Sequence, residues 1–170
     1  MGTMNRLLLL RHAKSSWDQP DLADHDRPLA RRGRRAATAL REHLRGLAEA
    51  PPFVVCSSAT RTVETLQLIR SALPADTSVA IEAGLYGADV DELLVRVRSL
   101  PPTAEGVLLV GHNPGIGDLA VMLAGHGDRT ALAAMTAKFP TAALARLSID
   151  QPWSAVVAGA ATLDEFWTPR

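Results

Sequence analysis

The chain has a single cysteine, Cys56, so no internal disulfide can form and a reducing compartment is the expected setting. It has no Gly-x-Ser-x-Gly, which disfavours a serine hydrolase built on a nucleophile elbow. It has no Gly-x-x-x-x-Gly-Lys-Ser/Thr, which disfavours a P-loop nucleotidase. Cys-x-x-Cys, His-x-Glu and His-Glu-x-x-His are also missing, so no metal is expected. Charge of one sign is lacking too: 18 Lys and Arg balance 18 Asp and Glu. The molecule as a whole therefore has no field that favours nucleic acid or a membrane surface. No run approaches the roughly 18 apolar residues of a membrane span. The run Leu7–Leu10 is too short for a signal-peptide core. A cytoplasmic protein without cofactor is the expectation.

What is present is an ordinary globular composition, 47% hydrophobic and 21% charged, in 170 residues. That length predicts one domain, residues 1–170, able to bury about two thirds of its unfolded surface. Apolar runs alternate with helix-like stretches, the pattern of an α/β sheet. Strands are predicted at 6–10, 53–56, 79–81, 107–110, 142–148 and 155–161. Helices are predicted from Leu29 to about Leu47, after Ser57-Ser58 as far as Pro74, from Asp89 to Pro101, and from Asn113-Pro114 to near Gly125. The stretch after Leu163 is expected to be a mobile tail. The fold class is a three-layer α/β/α with a mostly parallel central sheet.

Two of the predicted strands end in the same way. Leu7–Leu10 runs into Arg11-His12, and Val107–Val110 runs into Gly111-His112-Asn113-Pro114. Ligands of open α/β sheets lie outside the carboxyl ends of the strands. Two histidines at two such ends, one beside an arginine, predict a single pocket for an anion. Cys56 reads as a small apolar strand residue rather than a nucleophile. The cluster Arg31, Arg32, Arg34 and Arg35 reads either as a solvated helix face or as a rim that steers an anionic substrate. His25, His43 and His126 read as surface histidines.

Arg11-His12-Ala13, Arg61 and Gly111-His112-Asn113-Pro114, in that order, resemble the histidine phosphatase superfamily, also called phosphoglycerate mutase-like. Compact length, Arg27-Pro28-Leu29 and Pro140–Ala143 are similar to its SixA-type phosphohistidine phosphatase branch. Ala13 stands where the family signature has glycine. The resemblance implies a metal-independent phosphatase in which His12 is the nucleophile and becomes a phosphohistidine. It implies that Arg11, Arg61 and His112 hold the phosphate, with His112 donating as an imidazolium. The implied substrate is a phosphorylated protein or a small phosphorylated molecule.

Two carboxylates compete for the role of proton donor. Glu82 precedes Gly84-Leu85-Tyr86-Gly87 and resembles the acid-bearing Glu-x-x-x-Tyr-Gly of the mutase branch. Asp18, in Ser15-Ser16-Trp17-Asp18, resembles an asparagine that lines the mutase phosphate site. A carboxylate there repels phosphate unless it is protonated or turned to an arginine. A phosphomutase of the same superfamily and a non-catalytic module that binds phosphorylated ligands are the alternatives.

Overall fold

The computed structural model describes residues 2–170. A seven-stranded sheet forms the middle layer, in the order β3-β2-β4-β1-β6-β7-β5. Its strands are β1 (Asn5–Arg11), β2 (Phe53–Ser57), β3 (Ser78–Glu82), β4 (Gly106–Gly111), β5 (Ala124–Gly127), β6 (Leu144–Ile149) and β7 (Ala161–Trp167). Strands β3, β2, β4 and β1 are mutually parallel. β6 runs antiparallel to both β1 and β7, and β5 lies parallel to β7.

Side chains alternate across each strand, and the two faces are covered by different helices. Leu8, Leu10, Leu108 and Val110 pack against Leu40 and Leu44 of α1 (Arg31–Arg45) and Leu66 and Ile69 of α2 (Thr60–Ile69). Leu7, Leu9, Val107 and Leu109 pack against three other helices. These are α3 (Val90–Arg98), α4 (Gly115–Leu123) and α5 (Arg129–Ala137). Because β1 and β4 are covered on both faces, they read as continuous apolar runs. Asp89 caps α3 in a full capping box with Glu92. The arrangement is the three-layer α/β/α predicted.

The departures gather at the carboxyl end of the chain. The strand predicted at 155–161 is a turn, and the strand lies at Ala161–Trp167 instead. The expected mobile tail is thus a paired strand, with Trp167 opposite Leu144. Its sequence alternates, Ala161 and Leu163 inward with Thr162 and Asp164 outward, and so lacks an apolar run. α5 and β5 are not predicted. α5 is capped by Asp128, which accepts from the Ala131 N–H, but its stripe of small residues gives little hydrophobic contrast. β6 starts two residues later than predicted because Ala142 is in the left-handed region, φ +62°.

Candidate active site

Register brings the two histidines together. Arg11 of β1 lies opposite Gly111 of β4, so the next residues, His12 and His112, emerge side by side. Their ring centroids are 5.2 Å apart. The His12 N–H donates to the Gly111 carbonyl at 3.0 Å, which closes the end of the ladder. β2 stops at Ser57, and α2 follows at once with Arg61 in its first turn. Arg11, His12, Arg61 and His112 line one hollow of about 250 Å³, with Lys14 and Trp17 on its rim.

His12 is buried, and its Nδ1 lies 2.7 Å from the Ala13 carbonyl oxygen. A carbonyl can only accept, so Nδ1 carries the proton and Nε2 keeps its lone pair. Burial pushes the His12 pKa down to about 3, against the pull of the Ala13 carbonyl; His112, Arg61 and Arg11 lower it further. The ring is neutral at neutral pH. Ala13 is itself fully buried beside Leu29, Ala37 and Ala142, and its N–H donates to Thr65 Oγ1 at 3.0 Å. The turn after β1 is therefore tied to α2, the helix that carries Arg61.

His112 differs from the expectation. Its Nε2 pairs with Ser57 Oγ at 2.8 Å, and its Nδ1 is buried without a partner in the protein. Burial, then the charge of Arg61, lowers its pKa to about 4. Without a bound anion both histidines are neutral, and the imidazolium assigned to His112 requires a negative ligand beside it. Burial and Arg61 also lower the pKa of Arg11. Arg11 Nη1 donates to the Phe139 carbonyl, which also accepts from Asn113 Nδ2, while its Nε is buried without a partner. Asn113 Oδ1 accepts from the Gly117 N–H in the first turn of α4.

Outside the hollow, Arg61 is held by a carboxylate that sequence reasoning missed, Asp24. It sits in a short turn, Asp24–Asp26, within the polar loop from Asp18 to Asp26. Arg61 donates to its carbonyl at 2.7 Å and to its Oδ2 at 3.0 Å. Arg27 donates to its Oδ1, and the Tyr86 hydroxyl donates to its Oδ2 at 2.6 Å. Tyr86, then Arg27 and Arg61, hold the Asp24 carboxyl well below the usual carboxylate range. Tyr86 also sets its ring edge-on to His112 and to His25. His25 bonds Ser58 Oγ at 2.9 Å, so it stands at the site and is not a free surface histidine.

Neither expected proton donor lines the hollow. The Glu82 carboxylate is held by Arg96 of α3 through three hydrogen bonds of 2.8–3.1 Å. The residue ends β3, at the sheet edge, where α3 presents that arginine. Asp18 is exposed, and its N–H is bonded to Ser16 Oγ. Its neighbour Trp17 is the residue that reaches the rim, under the guanidinium of Arg27 at 3.3 Å. Among the described residues no three of His, Cys, Asp and Glu cluster as metal ligands. No helix there is long and apolar enough to cross a membrane.

The family model for the histidine phosphatase superfamily, branch 1, matches residues 7–94, and the chain belongs to that superfamily. Within it the SixA-type branch is the one supported. A Nakamurella multipartitia structure assigned as the phosphohistidine phosphatase SixA matches with TM-score 0.84 and 33% identity. The match covers 98% of this chain and 96% of that one. A structure from Agrobacterium tumefaciens with the same assignment matches with TM-score 0.80 and 28% identity, over 97% and 98% of the two chains. A Mycobacterium tuberculosis protein, Rv1276c, is 37% identical over 164 residues, 95% of this chain and 100% of its own length. The family supports phosphatase or phosphomutase activity.

Proposed function

We propose that the chain is a metal-independent phosphatase that passes the phosphoryl group through His12, with phosphohistidine in a protein as its substrate. The observation that carries this is the bond from His12 Nδ1–H to the Ala13 carbonyl. It leaves a neutral ring whose Nε2 lone pair is free to attack, in a hollow shared with three arginines, Arg11, Arg27 and Arg61. Guanidinium forks match phosphate oxygens, and charge-assisted bonds that tighten in the transition state accelerate transfer. The P–N bond of the substrate breaks as the bond to His12 Nε2 forms, and the departing imidazole keeps its own proton. Water then attacks phosphorus as the P–Nε2 bond breaks, its protons leave with the phosphate and solvent, and His12 returns to the neutral ring with its Nδ1 proton. His112 donates to the phosphoryl oxygens once their charge raises its pKa.

The substrate class follows from proton supply. No carboxyl group lines the hollow among the described residues, and Asp24 is held ionised. An alkyl phosphate needs an acid for its leaving oxygen, whereas a protonated phosphohistidine needs none. The SixA assignment of the two structural relatives points to the same class. An open hollow with an exposed Trp17 on its rim favours water as acceptor over a second hydroxyl, and so a phosphatase over a mutase. Residues 1–170 are proposed as one catalytic domain. The lone Cys56 is buried and has no cysteine to pair with, which fits a cytoplasmic setting.

The test is trapping. Rapid acid-free quenching with a labelled phosphohistidine peptide should give an acid-labile, base-stable phosphoenzyme on His12. His12→Ala should bind phosphate without turnover. A phosphoenzyme on another residue, or binding without release by the native chain, removes the reading.

A further inference from the structure

A second depression adjoins the catalytic hollow and is larger, about 520 Å³ against about 250 Å³. The two share Lys14 and Thr141, so they form one continuous trough. Lys14, Arg32, Arg35 and Arg170 line the second depression, over a floor that includes Pro140, and no Asp or Glu side chain does. Lys14, Arg32 and Arg35 are exposed and form no ion pair among the described residues. Their neighbour Arg34 is the contrast: it is paired with Glu64.

The placement of these arginines is electrostatically unfavourable in isolation. They lie in the first turns of α1, the positive end of the helix dipole, and that first turn holds no acidic residue. Nor does Ala30 provide a side-chain cap. A built phosphate site for a small molecule gathers backbone N–H groups and buried arginines around each oxygen. Here the cations are solvated, on long stems, spread along an open trough. That suits several mobile carboxylates rather than one fixed phosphate. Trp17, which lines the catalytic hollow, is 69% exposed, an unusual degree for a residue type enriched in protein-binding hot spots.

We propose that this trough docks an acidic segment of the phosphoprotein, flanking the phosphorylated histidine, with Lys14, Arg32 and Arg35 taking its carboxylates and Trp17 packing on it from the catalytic hollow. The inference rests on the protein-phosphohistidine reading above, and it assigns selectivity to residues away from the reacting atoms. Docking of this kind acts on KM and leaves kcat alone, because the contacts are the same in ground and transition states.

The experiment compares two labelled phosphohistidine peptides, one flanked by glutamates and one by serines, with para-nitrophenyl phosphate as a probe of chemistry alone. The native chain should show a KM about tenfold or more lower for the acidic peptide at low ionic strength, with the advantage fading as salt rises. The double variant R32E/R35E should lose that advantage while its kcat and its rate on para-nitrophenyl phosphate stay unchanged. The milder R32Q/R35Q should fall between. Equal KM for both peptides in the native chain, or an advantage that survives charge reversal, overturns the trough. A preference for 1,3-propanediol bisphosphate over propyl phosphate that vanishes in R32E/R35E, with peptides unaffected, also overturns it, in favour of a small-molecule site. Fluorescence anisotropy with the unphosphorylated peptides separates this proposal from the one it rests on. Absent turnover of either peptide sinks the phosphohistidine substrate. Tighter binding of the acidic one, lost in R32E/R35E, still upholds the trough, and equal binding overturns it.

Discussion

The two halves of the sheet do different work. In the parallel half, β3-β2-β4-β1, every strand ends on the same edge, and that edge delivers Arg11, His12, Ser57 and His112. In the other half β6 alone reverses direction, while β7 and β5 run with β1 but end away from the hollow. That half contributes the approach to β6, where the Phe139 carbonyl receives Arg11 and Ala142 N–H meets the carbonyls of Arg11 and His12. One half supplies the groups proposed to react, and the other supplies backbone that holds them. In the group β2-β4-β1, neighbouring strands that run the same way bring side chains distant in sequence to one edge, where ligands of such sheets lie.

This division can be broken by paired changes. His12→Ala, at the parallel edge, should lower kcat by at least about 10³-fold with little change in thermal stability, measured by steady-state rates and calorimetry. Leu163→Ala, in β7, should do the reverse. The side chain is 3% exposed, so its loss should cost about 2–4 kcal/mol in denaturant unfolding while kcat of the folded fraction holds. A large fall in kcat there would merge the two halves.

Acid should act through the parallel half. His12 and His112 have folded pKa values of about 3 and about 4, below the ordinary value near 6.5. Between those limits the unfolded chain binds protons that the folded chain refuses. Stability is therefore complete above pH 6.5 and declines as pH falls toward 4 and then 3. Urea midpoints across that range should show the slope, and His12→Ala should flatten it; an unchanged slope would place the protons elsewhere. Ser57→Ala removes the partner of His112 Nε2 and should lower kcat about tenfold, with a smaller effect on KM. The smallest effect is expected from Glu82→Gln. Its ion pair with Arg96 is partly exposed, so the change should cost less than about 1 kcal/mol and leave the ratio of rates on alkyl and aryl phosphates unaltered. A selective loss on the alkyl ester would return Glu82 to the chemistry.

The same contrast explains what could be read from the chain. β1 and β4 are buried on both faces, so their apolar runs and the polar residues that end them stand out. β7 is buried on one face and alternates, and its pattern is hidden among small residues. Arg11 closes β1, and His12 and His112 follow the ends of β1 and β4, so these three are legible at strand ends; Arg61, in the first turn of α2, enters only through the family resemblance. Asp24 is not legible, since it lies in a loop with several aspartates and no periodicity to choose between them. The likeness around Glu82 marked a segment that does reach the site, but through Tyr86, four residues on, whose hydroxyl meets Asp24.

Gly33 carries a last consequence. A Cβ at this position would overlap the carbonyl oxygen of Lys14, which also accepts from the Ala30 N–H. The missing side chain lets the start of α1 lie directly on the backbone two residues beyond His12. Any larger residue there would wedge helix and turn apart, carrying Arg32 and Arg35 away from Lys14 while α2 still grips Ala13. Position 33 is thus a spacer that sets the gap between the basic helix and the reacting edge, and its width is adjustable by a methyl group at a time.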